Sequence, residues 1–174
     1  MKFVTLLRGI NVGGHKKILM NDLKQLLQEL GASNISTYIQ SGNLIYEGGE
    51  IPAEEWSSRI EHLIHRRYGF DVPTITLTDA NFIRAFNELP YESDIEQLHA
   101  TFLSETPVPD KIQKLEGLSQ KKDQFIIIDR VIYLKCAGKY SDSKLTNAAI
   151  ESKLKVQATT RNWKTITALK AMLR

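Results

Sequence analysis

The chain has 174 residues, of which 42% are hydrophobic, 25% are charged and 8% are aromatic. These proportions are typical of a globular protein and exclude the disordered, collagen-like and coiled-coil classes. The net charge of +3 is smaller than that of a dedicated nucleic-acid-binding domain, so the position of the basic residues matters more than their number.

The sequence also indicates a compartment. No apolar run approaches the roughly 20 residues that span a bilayer, and the apolar stretch at the N-terminus is interrupted by Arg8, which is too early for a signal peptide. Cys136 is the single cysteine and excludes an intramolecular disulfide. We therefore expect a cytoplasmic protein that does not associate with membranes.

The first half of the chain predicts one α+β module, because apolar residues alternate between strand and helix spacing. The predicted strands are residues 2–8, 35–40, 44–47 and 72–77, and the predicted helices are 20–30, 52–67 and 82–89. The order is β-α-β-β-α-β followed by a helix, which is the split ferredoxin-like arrangement.

The second half predicts the same order of elements. Its predicted strands are residues 99–104, 124–129, 131–136 and 156–159, and its predicted helices are 112–118, 145–154 and 166–173. The expected fold class is thus α+β, with two similar split β-α-β-β-α-β (ferredoxin-like) halves, each followed by a helix. We place the halves at residues 1–92 and 98–174, although their residues do not visibly align and a single fused domain is the alternative.

The predicted topology brings two distant segments together. In a split β-α-β-β-α-β sheet the first two strands run parallel, so the connections that follow them lie at the same end. The loop Gly9–Lys17 and the turn Ser41–Asn43 should therefore be neighbours, and the second helix should deliver Arg66 and Arg67 to the same edge.

Four motifs occur along the chain. They are Leu6–Gly14 (LLRGINVGG), Thr37–Asn43 (TYIQSGN), Ser143–Asn147 (SKLTN) and Ala158–Thr165 (ATTRNWKT). In this order they resemble the signatures of the domain of unknown function 1697 family. The resemblance implies the fold of that family, and it brings no assigned activity.

The glycine loop has two readings. A glycine-rich turn between a strand and a helix can present backbone N–H groups to an anion, and Gly9 to Gly14 supplies part of a phosphate-binding loop. His15 and Lys16 follow, however, where Lys and then Ser or Thr are required, so the segment is not a P-loop. In the structural reading, Gly13 and Gly14 simply allow a tight reversal at positive φ.

The other motifs also have two readings each. Ser41 is a nucleophile if His15 lies close enough to act as its base, but a hairpin turn explains Ser41, Gly42 and Asn43 more simply. In the C-terminal motif, Asn162 or Thr160 can cap the last helix. In the functional interpretation, Arg161 and Lys144 bind a carboxylate or phosphate, and Asn147 and Asn162 orient it.

Arg8 is the last residue of the first predicted strand and shares a face with Val4 and Leu6. We expect that face to be covered by the second half or by a second copy of the chain. Arg8 should therefore be partly buried and should need an anionic or carbonyl partner.

The functional lead is a binding module for an anionic ligand, either a phosphorylated small molecule or a nucleic acid. The alternatives are a small-molecule enzyme with a polar site between the halves and a protein-interaction scaffold. We expect no metal and no cofactor, and a homodimer is a possible assembly. The candidate ligand-binding residues are Arg8, Asn11, Gly13, Gly14, Lys16, Ser41, Asn43, Lys144, Asn147, Arg161 and Asn162.

Overall fold

The computed structural model describes residues 1–119 and 122–174. In this part of the chain two four-stranded antiparallel sheets are accompanied by six helices. This confirms the predicted α+β fold with two similar halves. The chain divides into two compact units, one formed by Met1–Arg84 with Ala168–Arg174 and the other by Ala85–Thr167.

The first unit contains the first sheet. Its elements are β1 (Lys2–Leu7), α1 (Met20–Glu29), β2 (Ser33–Tyr38), β3 (Asn43–Glu47), α2 (Ala53–Tyr68), β4 (Thr74–Thr78) and the start of α3 (Asp79–Asn87). The strand order is β2-β3-β1-β4, which is the ferredoxin-like order. Because β1 and β2 both pair antiparallel with β3, they run parallel to each other, as predicted.

An aromatic cluster fills the core between this sheet and its helices. Phe3, Tyr46 and Trp56 are buried, with ring centroids 5.0–5.7 Å apart. The Tyr46 hydroxyl lies 3.0 Å from the Thr5 hydroxyl, and burial raises the pKa of Tyr46 to about 12. Helix α2 ends where Gly69 takes a left-handed φ of 75°, a conformation that glycine adopts without strain.

The second unit repeats this plan. Its elements are the end of α3, β5 (Leu98–Leu103), α4 (Pro109–Glu116), β6 (Gln124–Ile128), β7 (Val131–Lys135), α5 (Asn147–Leu154), β8 (Ala158–Asn162) and the start of α6 (Trp163–Met172). The strand order β6-β7-β5-β8 corresponds to that of the first sheet. Short 3₁₀ turns lie at Ile95–Gln97 and Tyr140–Asp142.

The strand registers align the two halves residue by residue, which their sequences do not. Thr5 lies opposite Thr76 between β1 and β4, and Thr101 lies opposite Thr160 between β5 and β8. In both pairs the hydroxyls are hydrogen-bonded, at 2.8 and 2.6 Å. Each pair joins the middle of the first strand of its half to the middle of the last.

Two further polar contacts recur at equivalent positions. The carboxylate of Glu61 accepts a hydrogen bond from the backbone N–H of Thr74, and that of Glu151 accepts one from Ala158. These bonds satisfy the outward N–H at the start of β4 and of β8, which are both edge strands. The first half and the second half therefore close one sheet edge in the same way.

The last strand differs from the prediction of residues 156–159. The observed strand β8 runs Ala158–Asn162, so Arg161 belongs to a strand and not to the start of the last helix. Asn162 ends β8 and caps α6, because its Oδ1 accepts the N–H of Thr165 at 2.9 Å. The predicted capping role of Asn162 is confirmed, whereas the polar strand in front of it carries no strand pattern in the sequence.

Candidate functional site

The connections that follow β1 and β2 lie side by side. The N–H of Leu7 donates to the carbonyl of Gly42 at 2.8 Å. A Cβ on Gly42 would lie 2.6 Å from the Cβ of Leu7, so the turn packs directly on the end of β1. This confirms the predicted neighbourhood of Gly9–Lys17 and Ser41–Asn43. We call residues 8–17 with 39–43 the glycine-hairpin edge.

The glycine loop is a miniature hairpin. Val12 and His15 form an isolated antiparallel bridge, and the N–H of His15 donates to the carbonyl of Val12 at 3.0 Å. Between them Gly13 and Gly14 have φ values of 58° and 78°. Two consecutive positive φ angles are what the tight hairpin turn requires, so the predicted reversal is confirmed.

Asn11 holds this hairpin against the rest of the edge, a role that the sequence does not predict. Its Nδ2 donates to the carbonyls of Ile18 at 3.0 Å and Gln40 at 2.8 Å, and its Oδ1 accepts the N–H of Ile18 at 2.9 Å. Its backbone N–H donates to the carbonyl of Lys16 at 3.1 Å. Because Gln40 lies 29 positions away, no local pattern could have shown this contact.

The turn at residues 39–43 has its own internal support. The buried Asn43 donates from Nδ2 to the Ser41 hydroxyl at 2.9 Å and to the carbonyl of Tyr38 at 3.0 Å. Ile39 is 53% exposed and has a φ of 50°, which is unusual for a β-branched residue. The edge therefore keeps a strained apolar residue in solvent.

The glycine-hairpin edge contains four basic residues, Arg8, His15, Lys16 and Lys17. His15 and Lys17 are exposed, and Arg8 is half-buried as predicted. The backbone N–H of Arg8 donates to the carbonyl of Pro73 at 2.9 Å. Lys16 Nζ donates to the carbonyl of Asp71 at 2.5 Å, which ties the hairpin to the loop before β4. Arg67, at the end of α2, pairs with Glu29 at 3.2 Å. Val4 and Leu6, on the preceding strand, are fully buried.

The C-terminal candidates lie on both faces of the second sheet. Asn147 Oδ1 accepts the Thr160 hydroxyl at 2.7 Å, whereas Arg161, next along β8, points to the opposite face. Lys144 is exposed, and Asn162 caps α6. Ligand binding by these residues stays a prediction.

Arg161 is a buried cation. Its Nη1 donates to the Thr159 hydroxyl at 2.9 Å and to the carbonyl of Thr160 at 3.0 Å. Burial lowers the pKa of Arg161 to about 10, so the guanidinium stays charged at neutral pH. These bonds to the same strand hold the guanidinium in place.

The second unit contains a histidine site that the sequence does not predict. His99 is buried and its ring stacks on Tyr140, with centroids 4.8 Å apart, while its Nδ1 lies 4.0 Å from Cys136 Sγ. Burial lowers the pKa of His99, and burial with the nearby Asp123 carboxylate raises the pKa of Cys136 to about 11. Cys136 is therefore a protonated thiol and His99 a neutral base, which does not make an activated nucleophile.

A cleft of about 550 Å³ opens nearby in the second unit. It is lined by Lys122, Asp123, Ala137, Gly138, Lys139, Asp142 and Ser143. Within residues 1–119 and 122–174, no group of three or more His, Cys, Asp or Glu side chains is placed to hold a metal ion. In the same residues no helix is long and apolar enough to cross a bilayer.

The fold and this edge define a class of protein with two ferredoxin-like halves, of which the first carries a glycine hairpin. The chain belongs to the family described as protein of unknown function (DUF1697), whose model matches residues 1–133. The two C-terminal motifs at 143–147 and 158–165 lie beyond the matched residues.

A solved structure shares the fold of this chain. The conserved bacterial protein SP0830 from Streptococcus pneumoniae is similar with a TM-score of 0.81 and 25% sequence identity. The match covers 99% of this chain and 98% of that one, so both halves are shared. None of the curated proteins matches the chain.

Proposed function

We propose that the glycine-hairpin edge binds a phosphate group carried by an anionic ligand, which is a phosphorylated small molecule or a nucleic acid. The observation that carries this proposal is the difference between equivalent connections in the two halves. The second half joins β5 to α4 through residues 104–108, which contain no basic residue. The first half joins β1 to α1 through the longer segment 8–19, which contains the hairpin. Because the second half makes the equivalent connection with five residues, the fold itself does not need the hairpin.

The chemistry of the edge supports an anion. His15 and Lys17 are exposed on the hairpin, and Arg8 lies at its base. Gly13 and Gly14 are also exposed, so a ligand can approach the backbone of the turn closely. Phosphate oxygens accept hydrogen bonds from such cationic and backbone donors together.

The rigidity of the hairpin supports binding as well. Asn11 joins the two ends of the loop through two side-chain hydrogen bonds to Ile18, and a third bond reaches the carbonyl of Gln40. Lys16 is anchored on the carbonyl of Asp71. A loop that is ordered before binding loses less conformational entropy when the ligand arrives. The same bonds hold residue 40 of the second motif against the first.

The test is calorimetry on the full chain with three probes: pyrophosphate, a nucleoside triphosphate, and a single-stranded oligonucleotide of roughly 12 nucleotides. Each titration is run at about 50 and about 200 mM salt, because phosphate contacts weaken steeply as salt rises. We expect binding of at least one probe, several-fold weaker in Lys17→Ala and in Asn11→Ala. Lys114→Ala, which removes an exposed lysine from α4 in the other half, is the matched control.

The probes separate the two ligand sources. Preference for the oligonucleotide, with a salt slope that falls by about one in Lys17→Ala, identifies a nucleic acid. Preference for the small phosphates identifies a phosphorylated metabolite. If no probe binds, or if Lys17→Ala binds like Lys114→Ala, the proposal is overturned.

A further inference from the structure

Three exposed apolar side chains lie on or next to the glycine-hairpin edge. Val12, Leu19 and Ile39 have exposed fractions of 63%, 71% and 53%. Val12 directly follows Asn11 in the sequence. Leu19 and Ile39 are each next to a residue whose carbonyl accepts a hydrogen bond from the Asn11 side chain. The contacts of one asparagine therefore bring together the three segments that carry these apolar residues.

The backbone at Ile39 shows that the fold does not require an isoleucine at this position. Ile39 directly follows β2, and Asp129 directly follows β6 in the second half. Their φ angles are nearly the same, at 50° and 52°, and both residues are exposed. Aspartate adopts this left-handed conformation readily, whereas a β-branched residue adopts it only at a cost in free energy. A strained residue whose side chain does not pack in the core indicates a functional position.

The apolar residues adjoin the donors of the proposed phosphate site. Val12 pairs with His15 across the hairpin, and Lys17 follows two residues later. In the second half Val108 precedes α4 as Leu19 precedes α1, and Val108 is also exposed. The connection that contains Val108 has no basic residue. Of the two equivalent connections, only that of the first half therefore combines exposed apolar and cationic side chains.

We propose that the phosphate ligand is a free nucleotide, whose base packs on Val12, Leu19 and Ile39 while its phosphates bind at the glycine turn. This inference rests on the proposed phosphate site. Proteins that bind nucleobases hold them against aromatic or apolar side chains, and an inorganic phosphate has no group that would use this surface. A planar base buries a whole face on an exposed patch, whereas a flexible chain would lose rotational freedom without being enclosed. The net charge of +3 is small for a protein that follows a nucleic-acid backbone, which favours a single nucleotide.

The test is calorimetry on the full chain with three probes that share a diphosphate group: pyrophosphate, a nucleoside diphosphate and geranyl diphosphate. The parent protein should bind the nucleotide about tenfold more tightly than pyrophosphate, because the base adds its contact with the apolar side chains. It should also bind the nucleotide more tightly than geranyl diphosphate, in which a flexible apolar chain replaces the nucleoside.

Two variants remove the apolar contact without removing a cation. Ile39→Asn relieves the backbone strain, and Leu19→Ser supplies a side-chain cap that α1 does not have, so both should raise the Tm. Both should weaken nucleotide binding several-fold and leave the affinity for pyrophosphate unchanged. Val108→Ser makes the same change before α4 and is the matched control, which should bind every probe like the parent.

The outcomes separate this inference from the phosphate site on which it rests. Equal affinities for pyrophosphate and the nucleotide overturn the inference and leave the phosphate site in place. So do variants that bind the nucleotide like Val108→Ser, or that lose affinity for both probes to the same extent. Tighter binding of geranyl diphosphate than of the nucleotide shows that a flexible chain occupies the patch, which also overturns the inference. If none of the three probes binds, the free nucleotide is excluded, and the oligonucleotide titration described above decides the phosphate site.

Discussion

The two halves of the molecule build one sheet plan from side chains that mostly differ. They share the hydrogen-bonded threonine pairs in mid-sheet and the glutamates that close one edge. They differ in the connection after the first strand and in the opposite edge strand, where the first half has the glycine hairpin and the bulge. The shared contacts stabilise the common sheet, and the differing segments are the places where the two halves can have different functions.

The largest expected effect tests the tight turn of the first half. Gly42 has a φ of 82° and its Cβ position lies 2.6 Å from Leu7 Cβ. Gly42→Ala should therefore lower the free energy of unfolding by about 3 kcal/mol, through overpacking and backbone strain. The counterpart of Gly42 in the second half is Arg130. The carbonyl of Gly42 accepts a hydrogen bond from the N–H of Leu7, and the carbonyl of Arg130 accepts one from the N–H of Leu103.

The comparison is made by urea denaturation of both variants. Arg130→Ala should cost about 1 kcal/mol, because the change removes the hydrogen bond that Nη1 donates to the Ser104 carbonyl. Equal losses in the two variants would show that the turn is no more constrained in the first half than in the second.

A smaller effect tests whether the threonine pairs are equivalent. Thr5→Val removes the hydroxyl that is hydrogen-bonded to both Tyr46 and Thr76. The buried hydroxyls of Tyr46 and Thr76 then lose that partner. We expect a loss of about 2 kcal/mol. Thr101→Val should cost about 1 kcal/mol, because Thr160 keeps its bond to Asn147. Thermal and urea unfolding of both variants would measure the difference, and a larger loss for Thr101→Val would contradict it.

The smallest effect concerns His99, whose counterpart in the first half is Phe3. Phe3 lies opposite Thr78, the last residue of β4, and His99 lies opposite Asn162, the last residue of β8. The pKa of His99 is lowered by burial, so the unfolded chain binds the proton more readily. Stability from this residue is complete above the ordinary value of 6.5 and is lost as the pH falls through the folded pKa.

His99→Phe should keep the stacking on Tyr140 and remove this acid sensitivity. Denaturation at pH values from about 7 to about 5, on either side of the ordinary histidine value, should show the variant losing less stability than the parent. Parallel pH profiles for the two proteins would show that His99 titrates normally in the folded state.

The sequence predicts the fold well because periodicity and turn chemistry are local. Alternation and leucine spacing indicate most strands and helices, and Gly13 with Gly14 indicates the reversal that the φ angles confirm. The last strand is misplaced because Thr159, Thr160 and Arg161 carry no apolar pattern. Their pairing with β5 is a tertiary effect that outweighs the weak local signal.

The site is predicted only in outline. Topology places the glycine loop beside the Ser41 turn, and the hydrogen bonds confirm that neighbourhood. The role of Asn11 depends on a carbonyl 29 positions away, and the stacking of His99 on Tyr140 depends on the path of a loop. Contacts of this kind are fixed by the assembled fold, so single-sequence patterns do not contain them.

The last seven residues of the sequence belong to the first unit. Leu169 and Leu173 are buried, and Lys2 Nζ donates to the carbonyl of Leu173 at 3.4 Å. During synthesis the chain emerges from its N-terminus, so the first unit cannot reach its final packing until residues 168–174 have left the ribosome. The second unit, which is continuous in sequence, can close first. A gene fragment that ends at residue 84 would therefore encode an incomplete unit with exposed apolar surface.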